Sequence, residues 1–119
     1  MGATTRNVKR TFDEIVADSN PAFDQLGAFT LKKSNEHITC EDGAWLSVQA
    51  NALTYCTPRS DCGPYSHVEV GFPSVRPPNS WMEYCGDWDN PTGTVYAYVP
   101  VELVREFIDL HGGEVQADD

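Results

Sequence analysis

The chain has 119 residues, 40% of them apolar and 22% charged, which suits a single domain with one core and argues against wholesale disorder. No apolar run approaches the ~18 residues of a membrane span, so no membrane association is expected. The formal net charge of −10 is unevenly spread: residues 1–33 hold five cations against four acids, whereas from residue 34 onward Arg59, Arg76 and Arg105 face fourteen acids. Such a field repels nucleic-acid phosphates and attracts basic surfaces, so no direct nucleic-acid binding is expected. The plainer role of acidic surface, keeping a protein soluble, stands beside that reading.

In chain order, MGATTRNVKR is polar and basic with no apolar stretch behind it, and residues 1–10 read as a flexible N-terminus. It carries no secretory pattern and lacks the hydroxyl residue a myristoylation signal wants at its sixth position, so a cytoplasmic protein is expected. Thr11 and Glu14 form a capping box, and Phe12, Ile15 and Val16 then share one side of a helix of about two turns ending before Asn20-Pro21. Residues 21–26 read as another short turn of helix stopped by Gly27, and residues 28–33 have β character. Residues 36–40 and 44–50 read as a hairpin around the Glu41-Asp42-Gly43 turn, with Leu46, Val48 and Ala50 on the buried side. A short strand end at residues 53–56 leads into a loop over 57–64, where two prolines and a glycine oppose regular structure.

Residues 65–71 alternate again, with Ser66, Val68 and Val70 opposite His67 and Glu69. Prolines force an extended connection over residues 72–79, and an aromatic, acidic loop follows over 81–89. Residues 94–99 read as a strand with Val95, Ala97 and Val99 on one face. Pro100 then suits the first position of a helix whose Val101, Val104, Phe107 and Ile108 form an apolar stripe. His111-Gly112-Gly113 offers a left-handed cap, and residues 114–119 form a polar tail. The expectation is one acidic α+β domain over 1–119, with an antiparallel sheet of four to five strands packed by the C-terminal helix and a short N-terminal helix.

Signatures of catalysis are missing. There is no G-x-S-x-G, P-loop or H-E-x-x-H pattern, so no catalytic residue is assigned. His67 and Glu69 share a strand face in the manner of an acid–base pair, but two such residues on a solvated strand are commonly plain surface. Cys40, Cys56, Cys62 and Cys85 lack the C-x-x-C knuckle of zinc sites, and reduced structural thiols are the plainer reading beside a metal or two disulfides. No cofactor and no metal ligand is expected. The stronger candidate is the stretch Trp81, Glu83, Tyr84, Asp87, Trp88 and Asp89: large aromatics anchor interfaces, and interleaved carboxylates would steer a basic protein partner onto them. The alternative is that Trp81 and Trp88 plug one end of the core. Arg59 is a second candidate, free to meet a carboxylate or phosphate, or else an internal ion pair holding its loop.

From residue 46 to 113 the runs LSVQ, YCTPR, GPYSHVEVGFPS, TVYAYVPVELV and HGG resemble small uncharacterised bacteriophage proteins. That resemblance covers a little over half the chain and implies work inside a bacterial host; it carries over no site residue. By analogy, small acidic phage proteins inhibit host defence and nucleic-acid-handling factors, some by imitating the charge of DNA. The expectation is therefore a non-enzymatic accessory protein, anti-CRISPR-like in its most concrete form, which binds a basic host protein through residues 81–90. A metal- or ligand-binding domain and a phage assembly component are the alternatives, and the oligomeric state is left open.

Overall fold

The computed structural model describes residues 7–115. Over these residues the fold is α+β, with a four-stranded antiparallel sheet, a separate two-stranded ribbon, two α-helices and a 3-10 helix. Helix α1 (Phe12–Ala17) starts where its capping box dictates. The Glu14 backbone N–H donates to the Thr11 hydroxyl at 3.1 Å, and the Glu14 carboxylate accepts from the Thr11 N–H at 2.9 Å. These two bonds satisfy amides that a helix start leaves without partners. Phe12 and Ile15 enter the core, and the helix stops at Asp18, which turns into the left-handed region at φ 35°.

The next segment departs from expectation. Residues 23–26 form not a helical turn but strand β1 (Phe23–Leu26), paired antiparallel with β2 (Phe29–Lys32) in the register Phe23↔Lys32 through Leu26↔Phe29. Phe23 and Leu26 sit at a spacing that suits a helix face, but the turn after them decides the outcome. Gly27 adopts φ 63°, so the chain reverses over Gly27-Ala28 and lays β2 beside β1.

Strands β3 (Ile38–Thr39) and β4 (Trp45–Gln49) form the expected hairpin, closed by Cys40 N–H on the Ala44 carbonyl at 2.7 Å and by Asp42, whose carboxylate accepts from the Ala44 N–H at 2.9 Å. Leu46, Val48 and Ala50 are buried while Trp45, Ser47 and Gln49 alternate outward. The predicted strand end at 53–56 is instead a turn: the Asn51 side chain accepts from the Leu53 N–H at 2.8 Å, and Thr54 N–H reaches the Asn51 carbonyl. This local closure uses bonds that a ladder would need.

Strand β5 (His67–Gly71) lies between β4 and β6 (Val95–Pro100), giving the order β3-β4-β5-β6. Val68 and Val70 face the core, while Ser66, expected on the same side, precedes the strand and is exposed. The alternation predicted for β6 fails, because Val68 pairs with Val99 but Val70 pairs with Tyr96. One extra residue therefore sits in β6, Tyr98 takes φ 55°, and Tyr96 rather than Ala97 is buried beside Val99. A bulge inserts one residue and so inverts the facing of everything beyond it.

Helix α2 (Val101–Leu110) buries Val104, Phe107 and Ile108 and ends at His111 and a left-handed Gly112, with Gly113 N–H on the Ile108 carbonyl at 2.8 Å. The helices and Trp81 of the 3-10 helix (Asn79–Tyr84) contribute to one hydrophobic cluster with the sheet. Part of the expected flexible start and polar tail lies outside the described residues. Within them, Val8 bonds Ser34 and Glu36, the Glu114 carboxylate accepts from the Phe12 N–H at 2.8 Å, and Val115 N–H donates to Thr39.

A buried ion pair joins the ribbon to this body. Asp18 meets both Arg10, at 3.1 Å, and Lys32, and the Lys32 ammonium also donates to the Ala50 carbonyl at 2.6 Å and the Tyr65 hydroxyl at 3.0 Å. Tyr65 in turn donates to the Ser60 carbonyl at 2.7 Å, and among the described residues every buried side-chain nitrogen and oxygen has a hydrogen-bond partner.

Candidate functional site

The loop between the 3-10 helix and β6 is fastened at both ends to the sheet edge. Cys85 bridges to Tyr96, and Gly86 N–H donates to the Val95 carbonyl at 3.0 Å. What lies between is an excursion from that edge with its own bonds. The Asp87 side chain accepts from the Asp89 N–H at 3.0 Å, Asn90 N–H reaches the Asp87 carbonyl at 3.0 Å, and the Tyr96 hydroxyl donates to the Pro91 carbonyl at 2.7 Å. A side chain closing on the amide two residues ahead is the habit of aspartate in turns. The turn leaves Trp88 67% exposed between two exposed carboxylates, Asp87 and Asp89.

Glu83 is exposed on the preceding 3-10 helix, and Tyr84 beside it is half-buried. Burial and then the Glu83 carboxylate push the Tyr84 phenol above its ordinary pKa. Among the described ion pairs none involves Glu83, Asp87 or Asp89, while Asp13, Asp18, Asp24, Asp42, Asp109 and Glu114 all meet a cation or a histidine. The exposed indole thus stands between two exposed carboxylates, Asp87 and Asp89, that form no ion pair among the described residues.

Trp81 does not belong to this surface. It is fully buried, its ring centroid 5.6 Å from Tyr96 and 5.5 Å from Phe107, and it serves the core. The expected pair of surface indoles is therefore a single one. The 3-10 helix presents one side to the sheet and α2, and Trp81 falls on that side.

Arg59 forms a different cluster. It makes no ion pair among the described residues, and its guanidinium lies 5.3 Å from the centroid of the Tyr55 ring. Tyr55 leans on Tyr98 with centroids 5.8 Å apart; the Tyr98 N–H donates to the Tyr55 carbonyl at 3.1 Å, and the Tyr55 N–H donates to the Glu69 carboxylate at 3.2 Å. The Tyr55–Tyr98 contact has no sequence signal, because the bulge that turns Tyr98 outward leaves no mark in an alternating run. Glu69 is thereby engaged with Tyr55, and His67 Nδ1 sits 2.7 Å from the Ser66 hydroxyl, so the two side chains of the acid–base reading each have another partner.

The four cysteines are free thiols, Cys40 and Cys56 buried, Cys85 half-buried and Cys62 exposed. Among the described residues no group of three or more His, Cys, Asp or Glu side chains is placed to hold a metal ion. An open groove of about 690 Å³ runs where residues 7–11, 36–39 and 114–115 meet, lined by both signs of charge, including Lys9, His37, Glu36 and Glu114. Among the described residues, no helix is long and apolar enough to cross a membrane. In comparisons with known proteins, the chain matches no family model, no curated protein and no solved structure.

Proposed function

We propose that this is a non-enzymatic accessory protein that captures a basic protein surface through the loop bearing Trp88, with Asp87 and Asp89 on either side of it in the chain and Glu83 exposed on the 3-10 helix before it. The observation that carries the reading is an indole two-thirds exposed on a bonded turn, between two exposed carboxylates without a cationic partner among the described residues. An exposed Trp on an ordered turn offers a large contact area at little conformational cost, and unpaired acids steer a cationic partner toward it. The net charge of −10 extends that steering over the whole molecule. A groove built to hold nucleic acid presents the matching field, and the resemblance of residues 46–113 to small phage proteins favours a host defence or nucleic-acid-handling factor as the owner of that groove.

Affinity capture from a bacterial lysate with identification by mass spectrometry tests the reading. The triple variant Glu83→Lys, Asp87→Lys, Asp89→Lys is expected to weaken capture roughly ten- to a hundredfold, and so is salt at about 0.5 M, where the screening length shrinks to roughly 4 Å. Capture that survives both changes undiminished removes the proposal.

A further inference from the structure

Two of the three indoles in this chain have a ring partner. Trp45 lies flat against the His37 imidazole, with centroids 4.2 Å apart and planes 10° from parallel, and Trp81 meets Tyr96 and Phe107 in the core. Trp88 is the most exposed of the three, and among the described residues it has no aromatic ring against it and no cation over it. Its turn is held by the Asp87 bond to the Asp89 N–H and by Gly86 on Val95, so the ring is presented on an ordered support. An indole face carries the negative lobe of its quadrupole, and what it attracts best is a cation.

The chain's own contacts show which cation suits such a site. The ammonium of Lys32 lies 5.0 Å from the Tyr65 centroid, but it is buried and bonded to Asp18, the Ala50 carbonyl and the Tyr65 hydroxyl. Guanidiniums approach rings without that enclosure. Arg59, which is exposed, lies 5.3 Å from the Tyr55 centroid, and Arg105 lies 5.0 Å from the Phe12 centroid while its Nη2 donates to Asp13. Arg105 thus covers a ring and bonds an aspartate at once. A planar, weakly hydrated guanidinium can do both, whereas a compact ammonium holds its water and has no flat face to lay on a ring. Trp88 offers the same pairing of ring and carboxylate, since Asp87 and Asp89 flank it in the chain, are exposed and form no ion pair among the described residues. We infer that the Trp88 loop recognises an arginine side chain of its partner, with the guanidinium face on the indole and its N–H edge toward the neighbouring aspartates. This rests on the capture of a basic surface proposed above and narrows it to arginine over lysine.

Two dye-labelled peptides of equal length and charge test it, one alternating arginine with glycine and the other lysine with glycine. Both are titrated with the full chain at about 20 mM salt, where charge attraction is little screened. Fluorescence anisotropy reads the affinity. The indole N–H resonances of isotope-labelled protein read the position, the Trp88 signal being the one that Trp88→Ala removes. Both peptides are expected to bind, the arginine peptide roughly three- to tenfold more tightly, and that peptide is expected to shift the Trp88 signal most. Trp88→Ala, checked for an unchanged melting profile, is expected to bring the arginine peptide down to the affinity of the lysine peptide. Trp88→Phe is expected to keep part of the difference, because a phenyl face attracts a cation less strongly than an indole. Equal affinities for the two peptides, an arginine preference that survives Trp88→Ala, or an unmoved Trp88 signal each overturn the inference while leaving capture of a basic surface in place. Failure of both peptides to bind removes the capture reading and this inference together.

Discussion

Trp81 and Trp88 show how one residue type takes opposite roles seven positions apart. Trp81 fills the space between Tyr96 and Phe107, while Trp88 rides on the Asp87 turn in solvent. The consequences of truncation should separate accordingly. Trp81→Ala removes a fully buried ring and is expected to cost about 3–5 kcal/mol in urea denaturation. Trp88→Ala should stay within about 0.5 kcal/mol of wild type in the same assay, yet abolish partner capture. Similar losses of stability for both would place Trp88 in the core as well. The residues of this segment were legible as a group of aromatics and acids, but which indole turns inward was not. A run of mixed residues carries no periodicity from which to assign a face.

Among the elements, those governed by local bonding were the most legible. The Thr11–Glu14 capping box, the Glu41-Asp42-Gly43 turn and the stripe of α2 follow from short-range geometry, and all three are present. Strand β1 and the bulge in β6 were not legible, because each depends on the register with a neighbouring strand. The turn at Asp42 has a further consequence. Its carboxylate accepts from the Ala44 N–H at 2.9 Å and lies 2.6 Å from His111 Nδ1, joining the β3–β4 turn to the end of α2. The backbone bond first and the histidine second hold its pKa below the ordinary 3.8. A carboxylate with a depressed folded pKa stabilises the fold above its unfolded pKa, and that contribution is lost as pH falls through the folded value. Thermal melts should therefore show wild type losing part of its stability as pH falls below about 4. Asp42→Asn should lack that part of the acid dependence while remaining less stable than wild type at neutral pH. Parallel acid limbs for the two proteins would show that Asp42 contributes none of it.

For the molecule as a whole, burial sorts the thiols. Cys40 is buried against the sheet, and desolvation, with smaller contributions from Asp42 and Glu114, pushes its pKa up to about 11. It therefore stays protonated and inert at neutral pH. Cys56 is also buried, donating to the Asn51 and Pro58 carbonyls, while Cys85 is half-buried with its thiol on the Asp87 carbonyl. A thiol reagent applied to the native protein should modify Cys62 first and Cys85 more slowly, leaving Cys40 and Cys56 to react only as fast as the core opens. Four equal rates, or a protected Cys62, would contradict this placement. The reactivity of Cys40 and Cys56 then reports on global opening, and that of Cys85 on the loop bearing Trp88.

Sequence alone determined the α+β class, the hairpin over residues 36–50, the two helices, the alternation of Val68 and Val70 with His67 and Glu69, the α2 stripe, and the acidic bias behind the proposed partner. Each of these rests on charge, spacing or a bond spanning a few residues. Tertiary structure decided that Trp81 lies inside and Trp88 outside, that Tyr98 meets Tyr55 across a bulge, and that the β1–β2 ribbon stands apart with Phe29 and Leu31 uncovered. Those outcomes depend on which distant segment arrives alongside. A local pattern can say that a side chain is apolar, but only packing between remote parts of the chain determines whether anything covers it.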